Sequence, residues 1–203
     1  MKKRPVQKRS RMMVDSIIDA ACQVIATEGL DALTTNRVAE VAGISNGSLY
    51  QYFYDRADLI EAVLEKVSKD ATDMFSRQLT GLETQSLDVR TLSKMALMMS
   101  LAFLRSNDLY PELILNWHRL PIHRLFDPIV QYLTSIAQSY LQQHPDKYSL
   151  DQLQTKLYVL INSTIFTMIR YLHEDNPLLK ETNIVECLAT MVERVLQEDR
   201  QAA

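Results

Sequence analysis

The groups most able to do chemistry in this 203-residue chain lie between Thr35 and Arg56. They are hydroxyls, amides and cations rather than a nucleophile paired with a base. Gln51 matches the bidentate edge of adenine, and Ser48 can hydrogen-bond to most base edges. Thr35, Tyr50 and Tyr52 offer hydroxyls to phosphate oxygens, and Arg56 offers charge. Asn36 and Arg37 reach a base or a phosphate from the start of a supporting helix. Gly47 has no side chain to hold that surface away from a partner. The chemistry these residues suit is recognition of a polyanion.

Catalytic signatures are weak in the sequence. It contains no H-E-x-x-H or C-x-x-C and no glycine-rich phosphate loop, and Gly43-Ile44-Ser45-Asn46-Gly47, which has the letters of G-x-S-x-G, joins two helical patterns rather than a strand to a helix, so no enzyme, cofactor or metal site is expected. His118 and His123 do not share a helical face, His144 and His173 stand alone, and His173-Glu174-Asp175 reads as surface. Cys22 and Cys187 lie far apart, with neither disulfide nor zinc spacing, and are expected as buried small hydrophobes in a reducing compartment.

The elements that must position the polar set are helices. Only four glycines occur, and three of them, at 29, 43 and 47, fall where short helices turn. Apolar spacing predicts a first helix over 11–28, stopped by Gly29, and a second capped by Thr34 or Thr35 and ended by Gly43. Ser45 caps a third helix running through Phe53. Asp55, with Asp58 as its acidic capping partner, starts a fourth that runs to about 79 and is broken by Gly81. On the third helix Leu49 and Phe53 face inward while Gly47, Ser48 and Gln51 face out. This is a helix-turn-helix, whose second helix enters the DNA major groove. Longer helices follow at about 88–106, 111–118, 122–143, 149–174 and 181–199, with Pro111, Pro121, Pro145 and Pro177 at the joints.

Net charge is −3, yet the first eleven residues carry six bases and no acid. A basic arm on an acidic body suits a polyanion approached at one end. No signal peptide follows Met1, and the longest apolar run, Met95–Leu104, is half a membrane span, so a soluble cytoplasmic protein without membrane contact is expected.

The stretch Thr34-Thr35-Asn36-Arg37-Val38-Ala39-Glu40-Val41-Ala42-Gly43-Ile44-Ser45-Asn46-Gly47-Ser48-Leu49-Tyr50-Gln51-Tyr52-Phe53 closely resembles the DNA-binding signature of the TetR family of bacterial regulators. Its usual form is T-x-x-x-I-A-x-x-A-G-V-S-x-G-x-L-Y-x-H-F, then a lysine. The resemblance spans about residues 11–65. It implies an all-α homodimer with an N-terminal three-helix head and a larger helical effector and dimerisation domain, about nine helices in all. The expected divisions are a flexible basic arm over 1–10, the head over 11–55, and a connecting helix with the C-terminal domain over 56–203. By similarity Thr35, Asn36, Ser45, Asn46, Gly47, Ser48, Tyr50, Gln51, Tyr52 and Arg56 take positions that touch double-stranded DNA in relatives. Tyr52 stands where histidine is usual, Arg56 replaces the lysine, and Asn46 often corresponds to a lysine, which weakens a phosphate contact.

The resemblance further implies a repressor released from a two-fold symmetric operator by a small apolar or amphipathic effector. The alternative is an effector-independent DNA-binding protein, or an activator controlled by a partner. Aromatic and methionine residues that can line an effector cavity are Met98, Met99, Phe103, Trp117, Phe126, Tyr158 and Phe166. The helix over 149–174 is apolar nearly all round, and the last helix carries one apolar stripe. Leu157, Ile161, Ile165, Ile184, Leu188, Met191 and Val195 are the expected dimer contact, in an intersubunit four-helix bundle.

Overall fold

The computed structural model describes residues 8–79, 86–148, 150–174 and 176–197. Over these the chain is all-helical. The helices are α1 (Lys8–Glu28), α2 (Thr35–Val41), α3 (Asn46–Leu49), α4 (Arg56–Leu79), α5 (Val89–Leu104), α6 (Leu109–Leu115), α7 (His123–Gln142), α8 (Leu153–His173) and α9 (Glu181–Gln197). Short 3-10 turns occupy Leu30–Ala32 and Trp117–Arg119. α1 begins at Lys8, so the last residues expected in the flexible arm are helical. The rest of the arm, the break at Gly81 and the last two residues of the final helix lie outside the described residues.

The chain folds as two compact units. The first comprises residues up to Asp70 together with Leu104–Phe126, and the second comprises Ala71–Phe103 and the residues from Asp127 onward. Residues 104–126, grouped by sequence with the C-terminal domain, thus cluster with the head. Leu109, Tyr110 and Leu113 of α6 are buried, and α6 packs against α1. The Glu112 carboxylate accepts from the Leu30 backbone N–H and from Asn116 Nδ2, each at 2.9 Å, and so ties α6 to the chain leaving α1.

The core of the first unit is built from Ile17, Ala21, Val24 and Ile25 of α1, Leu33, Val38, Leu49, Phe53, Leu59 and Val63, all essentially inaccessible to water. Gly29 and Gly43 take φ of +88° and +65°, the left-handed turns that stop α1 and separate α2 from α3. Cys22 is half-buried, and burial pushes its thiol up to about 12, so it stays neutral.

The second unit holds two apolar clusters. Val89, Tyr140, Leu141, Tyr148, Leu157, Leu160 and Leu196 form one; Leu97, Leu101, Met168, Val185 and Leu188 form the other. The buried Tyr148 hydroxyl accepts from the Val89 backbone N–H at 3.0 Å, which satisfies an orphan donor at the start of α5. Arg90 and Lys94 of α5 both pair with Glu186 of α9. Cys187, expected inside, is exposed, because it lies on the side of α9 opposite the buried Val185, Leu188 and Ala189. Pro128 lies within α7.

Candidate nucleic-acid interface

Two caps set the helices of the motif. Thr34 Oγ1 accepts from the Arg37 N–H at 3.1 Å to open α2, and Ser45 Oγ accepts from the Ser48 N–H at 3.1 Å to open α3. The tight turn between them is closed by Ile44 N–H donating to Ala39 C=O at 3.0 Å. Leu49 and Phe53 anchor the second arm at zero exposure. After them Asp55 Oδ1 caps α4 through the Asp58 N–H, and Asp58 Oδ2 reaches back to the Tyr54 N–H, the reciprocal pattern expected for this pair, one residue upstream of the expected donor.

The third helix does not run through Phe53. The α-helix ends at Leu49, and the chain tightens into shorter bonds, with Gln51 N–H donating to Ser48 C=O and Tyr52 N–H to Leu49 C=O. The tightening takes Phe53 into the core while the chain turns directly to the Asp55 cap. At about three residues per turn Gln51 stands over Ser48, so both stay on the outer face.

Asn36, Ser45, Asn46, Gly47, Tyr50 and Gln51 are exposed, and Thr35, Ser48 and Tyr52 are half-buried at the same surface. The Thr35 and Tyr50 hydroxyls lie 3.0 Å apart and join the start of α2 to the recognition element. Ser48 Oγ lies 2.9 Å from Ser45 Oγ, which orients both before any partner arrives. A Cβ on Gly47 would meet only Ser45 Oγ, at 3.8 Å, so the protein's own packing does not require glycine there.

Both cations of the segment are already engaged by groups of the head itself. Arg56 Nε donates to Leu33 C=O and Nη2 to Leu30 C=O, each at 2.8 Å, so this side chain staples the 3-10 turn rather than extending towards a phosphate. The Arg37 guanidinium is forked on Glu28, with Nη2 to Oε1 at 2.7 Å, and its Nη1 lies 2.8 Å from Glu40 Oε2. These carboxylate bonds hold Arg37 firmly protonated and pull the Glu28 carboxyl below its ordinary range. Arg37 therefore stands at the surface with its guanidinium already paired. Sequence reasoning missed Glu28, although an acid in the last turn of α1 opposes the helix dipole and signals a specific cationic partner.

The residues expected around an effector are divided between the two units. Met98, Tyr158 and Phe166 are exposed, Met99 and Phe103 are half-buried in the second unit, and Trp117 and Phe126 belong to the first. A shallow groove of about 460 Å³ occurs instead in the first unit, lined by Asp55, Arg56, Ala57, Ile60, Glu61, Arg119 and Pro121. Of the expected dimer residues, Leu157 and Leu188 are buried in the protomer's own clusters, and Ile161, Ile165, Ile184, Met191 and Val195 are half-buried. The apolar face of α8 left open carries Tyr158, Val159 and Phe166.

Residues 17–63 match the family described as bacterial regulatory proteins, tetR family. The head, over these residues, is of the TetR-family type. Among curated relatives, the nucleoid occlusion factor SlmA of Haemophilus ducreyi is 25% identical over 92 residues, 45% of this chain and 44% of that protein. A fatty acid metabolism regulator protein of Bacillus subtilis is 35% identical over 60 residues, 30% of each chain. The chain therefore spans less than half the length of these curated relatives. Among solved structures, a putative TetR-family regulator from Mesorhizobium loti superimposes with a TM-score of 0.69 at 17% identity, covering 93% of this chain and 97% of that one. This likeness extends the TetR-family fold from the head to nearly the whole chain.

Proposed function

We propose that the protein is a homodimeric transcriptional repressor that reads a two-fold symmetric DNA operator and is released from it by a small apolar or amphipathic effector. The observation that carries the reading is the capped recognition element. Asn46, Gly47, Tyr50 and Gln51 stand exposed on a surface whose backbone is fixed by Ser45, Leu49 and Phe53. Such a surface specifies through base edges, while hydroxyls at Thr35, Tyr50 and Tyr52 position it on the backbone. A second copy is the occupant proposed for the open face of α8. That helix carries apolar residues nearly all round, and its own protomer buries Leu157, Leu160, Met168 and Ile169 but leaves Tyr158, Val159 and Phe166 exposed. Two linked heads read half-sites roughly 34–36 Å apart or a multiple of that. The reading has no catalytic step and places the protein in the cytoplasm with the DNA. Among the described residues no helix is long and apolar enough to cross a membrane.

A second reading, DNA binding without an effector or under a partner's control, is favoured by one observation. Met98, Tyr158 and Phe166, expected around a ligand, face outward. Stabilisation of the protein by an apolar ligand in a thermal-shift panel would favour release by an effector, and a flat panel the partner-controlled form.

The test is titration against labelled DNA from upstream of its own gene, with random competitor at fixed salt. The expected result is a two-fold symmetric footprint that survives the competitor. Gln51→Ala should lower specific affinity by about ten- to a hundredfold, the value of one good base contact, and leave the dimer intact. Loss of the dimer in this variant would make Gln51 a core residue instead.

A further inference from the structure

Glu28 ends α1, and its carboxylate takes the Arg37 guanidinium in a fork. Nε lies 3.0 Å from both Oε1 and Oε2, and Nη2 lies 2.7 Å from Oε1. The remaining nitrogen, Nη1, is held by Glu40 at 2.8 Å. All three guanidinium nitrogens are thus engaged by carboxylates. Arg37 stands on the first turn of α2, two residues past Thr35, whose hydroxyl touches Tyr50 of the recognition element. The only other cation between Thr34 and Arg56 is Arg56 itself, already bonded to the Leu30 and Leu33 carbonyls. The recognition surface therefore meets a partner with neutral polar groups, backed by Glu28 and Glu40.

We propose that Glu28 is a positioning residue that holds Arg37 away from the DNA backbone and keeps the head's affinity below what its arginines allow. The inference rests on the DNA-binding reading. A phosphate offers Arg37 the same two-oxygen fork as a carboxylate. Taking it, however, would leave Glu28 and Glu40 unpaired and facing the phosphate, and like charges at that distance repel. Both the fork and this repulsion keep the arginine where it is.

The test is the salt dependence of binding to a random-sequence duplex, since phosphate contacts are independent of sequence. The wild type, R37Q, E28Q and the double variant E28Q/R37Q are compared, with their helical content and melting checked. R37Q should keep the wild-type slope of log K against log salt. E28Q should steepen it by about 0.9 per head, one added phosphate contact, and tighten binding roughly three- to tenfold at low salt. The double variant should return to the wild-type slope. A flatter slope in R37Q would mean that Arg37 already touches phosphate, and would overturn the proposal even if E28Q failed to fold. A gain in E28Q that persists in the double variant would overturn it as well, since only lost negative charge would then be at work. Unchanged slopes in every variant of a protein that binds DNA remove this inference alone. A wild type that binds no duplex at low salt removes the DNA-binding reading with it.

Discussion

The two compact units hold their helices by different means. In the first, α2 has seven residues and α3 four, too short to be stable alone because the first helical turn fixes several residues for one hydrogen bond. Specific polar contacts compensate: the Thr34 and Ser45 caps, the Thr35–Tyr50 bond, the reciprocal Asp55–Asp58 cap and the Arg56 staple. In the second unit α8 has 21 residues and α9 has 17, and apolar stripes feeding two clusters hold them. A head fixed by individual polar contacts constrains residue identity at each position. A domain fixed by burial constrains mainly size and apolarity, and leaves its outer faces free to vary.

The sharpest way to break that comparison uses two phenylalanines. Phe53 is fully buried at the end of the recognition element, whereas Phe166 is 42% exposed on α8. Phe53→Ala should cost about 3–5 kcal/mol in chemical denaturation, the usual cost of deleting a buried aromatic ring. Phe166→Ala should change protomer stability by no more than about 0.5 kcal/mol, as surface substitutions do. Its expected effect is on sedimentation, where loss of the dimer would be seen. Equal destabilisation by the two would show that α8 is covered on both sides within one protomer.

Two glycines sharpen the same contrast inside the head. Gly43 holds φ at +65°, so Gly43→Ala should cost about 1–2 kcal/mol of stability through backbone strain alone, although nothing lies within 4 Å of the added Cβ. Gly47 has no such φ and an ordinary 3.8 Å contact, so Gly47→Ala should leave the melting temperature unchanged or slightly raised. Its penalty should appear only in DNA binding, where the methyl group meets the groove. A Gly47→Ala protein that melts lower but binds normally would reverse the roles assigned to these two glycines.

What could be read from the sequence follows the same division. Thr34, Ser45, Asp55 and Asp58 act on backbone groups three or four residues away, so their spacing alone places them. Gly29 and Gly43 likewise mark their own turns. The end of α3 was hidden because it depends on where Phe53 must go, which is a property of the core. Arg37 and Arg56 look like phosphate ligands until their partners are known. Those partners, Glu28, Leu30 and Leu33, lie 9 to 26 residues upstream. The Leu30–Glu112 bond spans 82 residues, so nothing local could have moved α6 into the head. On α8 the periodicity announces apolarity all round but not which side is covered, so it could not tell the buried Leu157 from the exposed Tyr158.

The smallest expected effect tests whether electrostatics separates the units at all. Glu28 in the head is held below the ordinary carboxylate range near 4.5 by hydrogen bonds from Arg37, and Glu186 in the second unit is held down by Lys94 and Arg90. A carboxyl whose folded pKa is depressed contributes stability that is complete above its unfolded pKa and is lost as pH falls through the folded value. Melting temperature should therefore decline below about pH 4.5 and be flat from there to neutrality as far as these groups are concerned. E28Q and E186Q should each flatten part of that acid limb, most clearly at low salt, because exposed pairs are screened. If only E28Q does so, ion pairing belongs with the caps as a device of the head. If both flatten it alike, charge fixes the two units equally, and the contrast between them rests on capping against burial.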